Sequence, residues 1–471
     1  MKPALLLALA WAWACSARAH GFEERYDLPV PLGYVVAGAC AAVFFTFVGA
    51  VLFVRKPVTP FAQSAGEAAR RPQKNQSNAL RWAVGFVKGL SWLLFAVTIL
   101  SALWGSADPL MNLAPTLVWI VWWIGLSFAV VLLGNFWPFL DPWRTTFEAV
   151  DFSARKLGWR RGLSVRWAWP ARLGVWPAVF LLLAWCGLEV VYPIASSPVR
   201  LGYAALAWSA VSLAGMACFG RDSWQRNGDV FALYFATLGR LAPVQFRNQQ
   251  FAPAPVAGQT GFVMAMLSTV LFDGLHGGAA WTEFEQVLRK IAPQWMDVNG
   301  YFAGTVGLVV VWLAFVVAYL AACSLSTGLM ASSTGSKTGW QVAARFVPAL
   351  IPIAAAYNLA HNFSSLLIQG QTVFQLLSDP LGRQWDLFGT ARFYPDISVV
   401  DARLTWYVAV TSIVAGHVAS IWLAHQLALS LRLSPWRTAL AMAPLTSLML
   451  AYTAISLTVI AEPMVIYSIS K

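Results

Sequence analysis

Charge is the scarcest commodity in this chain. Asp, Glu, Lys and Arg make up 11% of its 471 residues, against roughly 25% in soluble domains. Acidic residues are rarer still, 20 against 32 basic ones. A water-soluble domain of this size needs more surface charge than that. Cysteine is also sparse, with 5 in all, and Cys15, Cys40, Cys186, Cys218 and Cys323 fall into no paired spacing. That excludes a zinc ribbon or a disulfide scaffold. Nor do the basic residues form a tail or a recognisable nucleic-acid-binding fold. No internal repeat is evident, so an inverted-repeat transporter gains no direct support.

What is abundant is apolar surface, at 59% hydrophobic residues. Runs of about 20 apolar residues recur, each able to cross a hydrocarbon core about 30 Å thick. The chain reads as an all-α protein, a polytopic transmembrane helix bundle. Residues 1–19 have the three parts of a secretory signal: Lys2, the apolar stretch Ala4 to Ala14, and the small-x-small sequence Ala17-Arg18-Ala19. Cleavage there makes His20 the mature N-terminus; an uncleaved anchor is the other reading. The remainder, 20–471, is expected to form a single transmembrane domain.

Ten spans are expected, near 33–54, 82–104, 116–134, 173–193, 202–219, 259–275, 301–327, 346–369, 404–431 and 438–461. With the mature N-terminus outside, loops rich in Lys and Arg, such as those holding Arg70, Arg71 and Arg155 to Arg166, all fall on the inner side. This predicts a bacterial inner membrane protein with both termini periplasmic. Its net charge of +12 then serves contact with anionic membrane lipid rather than nucleic acid. Many of the 25 Trp sit near span ends, as an interfacial belt does. The stretches 135–144 and 434–437 read as interfacial turns whose Arg meets lipid phosphate. Asp229 to Pro243 reads as an amphipathic helix lying on the inner surface. The loop from Gln371 to Arg403, with Asp379, Asp386, Asp396 and Asp401, either caps a cavity or is a solvated connection.

Only 5 His occur, and their placement is informative. His361, His417 and His425 lie inside expected spans, and His276 ends another. Ionisable groups in hydrocarbon are costly and mark functional sites. Glu189 and Asp273 lie at similar depth to His276, while Asn358, His361 and Asn362 share one helix face. Depth alone therefore suggests convergence of Glu189, Asp273, His276, His361, His417 and His20. Imidazole and carboxylate suit a divalent transition metal, Zn, Mn, Fe or Cu, and an N-terminal His20 suits copper. His425, roughly 12 Å deeper than His417, should not share a metal with it and either supports the site from behind or is a separate group. The same histidines and asparagines also serve as interhelical hydrogen-bonding glue in many bundles.

Five stretches carry a resemblance: 19–31 (AHGFEERYDLPVP), 134–144 (GNFWPFLDPWR), 188–192 (LEVVY), 357–363 (YNLAHNF) with 369–371 (QGQ), and 416–425 (GHV, then AH after five residues). In them the chain resembles a family of bacterial multi-span membrane proteins known as fenitrothion (organophosphate) hydrolases. The resemblance implies attack of a metal-bound hydroxide on the phosphorus of a lipophilic phosphotriester, which reaches the site through the bilayer, the metal polarising P=S or P=O and lowering the pKa of its bound water. It would make His361 and His417 metal ligands, with His276 or His20 as a third. Glu189 or Asp273 would orient or deprotonate the water. A metal-binding or transport protein, copper being favoured by His20, is the competing expectation.

Overall fold

The computed structural model describes residues 30–56, 78–159, 162–192, 197–243, 256–334, 338–431 and 433–462. Every regular element among them is helical. The helices used below are α1 (Leu32–Phe53), α2 (Asn78–Trp104), α3 (Leu113–Leu133), α4 (Pro142–Lys156), α5 (Trp176–Val191), α6 (Pro198–Phe219), α7 (Arg221–Asn227) and α8 (Val230–Gly239). They continue with α9 (Gln259–His276), α10 (Ala279–Ile291), α11 (Tyr301–Thr334), α12 (Gly339–Gln369), α13 (Thr372–Ser378), α14 (Ala402–Leu429) and α15 (Pro435–Ala461).

Eight of these helices are long and apolar enough to cross a membrane: α1, α2, α3, α6, α11, α12, α14 and α15. Counting α9 and α10, which meet at an 89° bend, as one broken span gives nine. The expected span near 173–193 is the shorter apolar helix α5, an 11-residue α-helix followed by a 5-residue widened turn. At 1.5 Å per residue it falls short of a hydrocarbon core. The outward faces of the long helices are apolar as well. Phe45, Phe53, Trp82 and Phe86 are all exposed, which lipid tolerates and water does not. This is a helical membrane protein.

The chain divides into two compact units. Unit 1 comprises 1–57, 266–363 and 401–471, and unit 2 comprises 58–265 and 364–400. In unit 1, α1 and α11 pack along α15, and α1 also packs along α14. Small residues permit the closest approach. A Cβ on Gly416 of α14 would lie 2.4 Å from the Ala356 side chain and 2.9 Å from the Pro352 carbonyl of α12. At one end, Arg345 Nη2 bonds Ser430 Oγ at 3.4 Å. These two contacts set α12 antiparallel to α14.

Unit 2 is built around aromatics. Trp122 of α3 lies 4.5 Å from Phe231, 5.7 Å from Trp185 and 5.8 Å from Trp137. Trp143 stacks on Phe231 at 5.8 Å. Such pairs add about 0.5–1.5 kcal/mol each beyond burial. Helix α8, expected to lie on the membrane surface, is instead buried here, with Phe231, Phe235 and Leu238 all at 1% exposure or less. Aromatic faces from α3, α5 and α6 cover it, so its apolar residues meet protein on more than one side.

The stretch 135–144 is partly interior, with Phe139 exposed. Trp137 and Trp143 are buried, and Asp141 caps α4 by accepting from Arg144 N at 2.9 Å. The Arg144 side chain bonds Glu148 at 2.9 Å and Gln225 at 3.2 Å. In the loop before α14 the four acids organise backbone. Asp379 accepts from Arg383 N and Gln384 N, Asp386 from Ala391 N, Asp396 from Ser398 N, and Asp401 from Leu404 N. Each is a turn-former or helix cap.

Candidate functional site

The sharpest polar contact among the sequence-predicted residues is in unit 1. His361 Nε2 of α12 lies 2.7 Å from Asp273 Oδ2 of α9. The imidazole is largely enclosed, with 13% of its side chain exposed, while the carboxylate is 40% exposed. The helices meet closely here because Gly274 follows Asp273. A Cβ at Gly274 would lie 2.8 Å from Val459 of α15, and 3.6 Å from the Tyr357 hydroxyl. With the carboxylate accepting, Nε2 carries the hydrogen and Nδ1 is the basic nitrogen.

The neighbouring candidates behave differently. His276, one turn beyond Asp273, packs its ring against Trp281 at 4.6 Å and Phe272 at 5.5 Å. Asn362 Nδ2 donates to the Asn358 carbonyl of its own helix at 3.2 Å. His417 is buried at 1% exposure, and its Nδ1 bonds the Ile413 carbonyl one turn back on α14 at 2.8 Å. That is not interhelical glue. His425 does bridge helices, with Nε2 donating to the Val54 carbonyl just past α1 at 2.9 Å. Glu189 belongs to unit 2, where it sits in the widened turn Gly187–Val191 and accepts from Trp123 Nε1 at 3.1 Å. Trp123 itself lies in a second widened segment, Thr116–Gly125. His20 lies outside the described residues.

Among the described residues no three His, Cys, Asp or Glu side chains gather as a metal set. The bonds that His361 and His417 make leave His361 Nδ1 and His417 Nε2 over, and no third His, Cys, Asp or Glu gathers with them among the described residues. The chemistry proposed for the His361–Asp273 pair therefore passes through no metal.

Sequence reasoning missed a second polar cluster, in unit 2. Glu148 of α4 accepts from Lys88 Nζ of α2 at 2.6 Å, from Arg144 at 2.9 Å and from Arg221 at 2.7 Å. Burial pushes its carboxyl up, but the hydrogen bonds from Lys88 and Arg144 outweigh that and hold it below its usual value. Beside it, Asp141 accepts from Gln225 Nε2 at 2.6 Å. Asp229 caps α8 through Ala232 N at 2.9 Å. Burial raises both carboxyls, Asp141 to about 6 and Asp229 to about 7, the latter helped by the charge of Asp141. The signal for Asp141 and Asp229 was present: an Asp immediately before an apolar helical start is a cap. Their proximity was not legible.

Fold and site together define an all-helical membrane protein with a carboxylate–imidazole pair between two helices. No family model, curated protein or solved structure matches the chain.

Proposed function

We propose that the protein is a membrane-embedded hydrolase of lipophilic organophosphate triesters such as fenitrothion, with His361 as general base and Asp273 as the group that orients it. The observation that carries this reading is the 2.7 Å contact between His361 Nε2 and Asp273 Oδ2, in a partly open position. A carboxylate on one ring nitrogen fixes the tautomer and leaves the other nitrogen to take a proton, the logic of hydrolytic dyads and triads. Water loses its proton to His361 Nδ1 as its oxygen attacks phosphorus. The P–O bond to the aryl group breaks, and nitrophenolate leaves. Asp273 offsets the charge that develops on the ring. A substrate that partitions into lipid reaches such a pair without crossing bulk water.

The experiment is nitrophenolate release by detergent-purified full-length protein, wild type beside His361→Gln and Asp273→Asn. Release by wild type and its loss in both variants supports the reading. No release by wild type, or wild-type rates in both variants, removes it.

A further inference from the structure

At the end of unit 1 that carries the His361–Asp273 pair, the chain turns sharply. Helix α9 runs beside the spanning helix α15. Tyr452 Oη donates to the Leu267 carbonyl at 3.3 Å, and a Cβ on Gly274 would lie 2.8 Å from Val459. One turn on, a Cβ at Gly278 would collide with the Glu462 carboxylate. As α15 advances from 452 to 462, its neighbours on α9 and just beyond advance from 267 to 278, so the two helices run side by side in one direction. The chain then bends by 89° into α10. Helix α10 therefore lies across the end of the bundle, roughly at right angles to the span beside it.

Three contacts hold this corner. Glu462, the residue after α15, accepts from the N–H of Ala279, the first residue of α10. Trp281 is buried against α11 at Gly307, where a Cβ would lie 2.5 Å from the indole. The His276 ring lies 4.6 Å from the same indole.

The sequence of α10, AAWTEFEQVLRKI, sorts its residues by face. At about 100° per residue, Trp281, Phe284, Val287, Leu288 and Ile291 fall within an arc of about 120°, and the charged residues all lie outside it. The Trp281 edge of the arc is buried. At the other edge Val287 is 51% exposed and Ile291 72%, and the turn that follows adds Trp295 at 64%. A helix perpendicular to the spans and level with their ends lies where hydrocarbon gives way to headgroups. An amphipathic helix followed by an indole is the element that occupies that plane. Lipid-facing surface is also close by: α11 exposes Val310 and Leu313, each 46%, one and two turns beyond Gly307.

We propose that α10 and the turn after it form an interfacial surface, docked on the bilayer through Val287, Ile291 and Trp295, with Gln286 and Lys290 turned to water. The charges of α10 cancel, Glu283 and Glu285 against Arg289 and Lys290, so apolar burial and not lipid charge holds it. Asp273 precedes Ala279 by six residues, which sets the carboxylate–imidazole pair about 9 Å further into the bundle along α9. The inference holds whatever the chemistry of that pair.

The test is nitroxide labelling of the full-length protein in liposomes, at Val287→Cys, Ile291→Cys, Gln286→Cys and Lys290→Cys. Collision rates are measured with oxygen, which concentrates in lipid, and with a nickel chelate, which stays in water. Each label replaces an exposed side chain, and unsubstituted protein labelled the same way corrects for the chain's own cysteines. The oxygen-to-nickel ratio should be about fivefold or more higher at 287 and 291 than at 286 and 290, in phosphatidylcholine and phosphatidylglycerol alike. Equal ratios at all four positions overturn the proposal. So does shielding of 287 and 291 from both reagents, which would mean that a second copy or another protein covers the face. A difference confined to phosphatidylglycerol also overturns it, because charge would then hold the helix.

Discussion

The two units treat their polar groups in opposite ways. In unit 2 the charges find one another: Lys88, Arg144 and Arg221 converge on Glu148, and Gln225 links Arg144 to Asp141. In unit 1 the imidazoles and hydroxyls are spaced along the bundle, and most have at least one polar atom without a protein partner. Unit 2 also leaves Asp229 Oδ2 and Thr260 Oγ1 without a protein partner, along with the indole N–H groups of Trp119, Trp137, Trp185 and Trp224. The indoles sit among aromatic rings, whose faces accept N–H weakly. Closed networks hold structure; open ones, where a lone pair or a hydroxyl is kept free, are where protons and substrates can be handled. The proposed function assigns the chemistry to unit 1 and leaves unit 2 as scaffold.

Four variants break or sharpen this contrast. The largest effect is expected at His361. Replacing a general base removes about 100- to 10,000-fold in rate, so His361→Gln should lower kcat for nitrophenolate release by at least 100-fold with little change in KM. Next comes Asp273→Asn, which keeps a hydrogen-bond acceptor but loses the charge. It should lower kcat about tenfold or more, and stopped assays at several substrate concentrations separate this from a binding defect. In unit 2, Glu148→Gln should leave hydrolysis unchanged and cost stability instead. Glu148 is 29% exposed, so the loss should fall between those of exposed and buried pairs, about 2 kcal/mol by denaturant titration.

The smallest effect is also pH-dependent. Asp229 is raised in the folded protein to about 7, by burial and then by the charge of Asp141. A carboxyl with a raised folded pKa favours the folded state at low pH. Its contribution is lost as pH climbs from the unfolded value, about 4, through about 7. Asp229→Asn keeps the cap to Ala232 and removes the charge. It should raise thermal stability by about 1–2 kcal/mol at pH 8 and change nothing near pH 4. Thermal melts across that range check the sign.

Much of the architecture was legible in the sequence, because a 20-residue apolar run has few alternatives in water or lipid. The span count was less so. Composition cannot tell a spanning helix from one such as α5, which is apolar because aromatic neighbours cover it. The same error placed α8 at the surface: its helical spacing of apolar residues was visible, but not the Trp122, Trp123 and Trp185 rings that bury its remaining face. Within the candidate site, Asp273 and His361 were both legible as ionisable groups in apolar surroundings. Their pairing across 88 residues was not, since depth along a helix says nothing about its rotation. Tyr357 and Ser420 passed unnoticed because a hydroxyl in a span is common. Only the tertiary packing reveals which hydroxyls lack a partner.

The most direct test of the central claim is the initial rate of nitrophenolate release by the full-length protein, measured for wild type, His361→Gln and Asp273→Asn with melting temperatures alongside. The account predicts release by wild type, a loss of at least 100-fold in His361→Gln and at least tenfold in Asp273→Asn, with all three proteins folded at the assay temperature. Equal rates in the three would show that the His361–Asp273 pair holds helices together and does no chemistry.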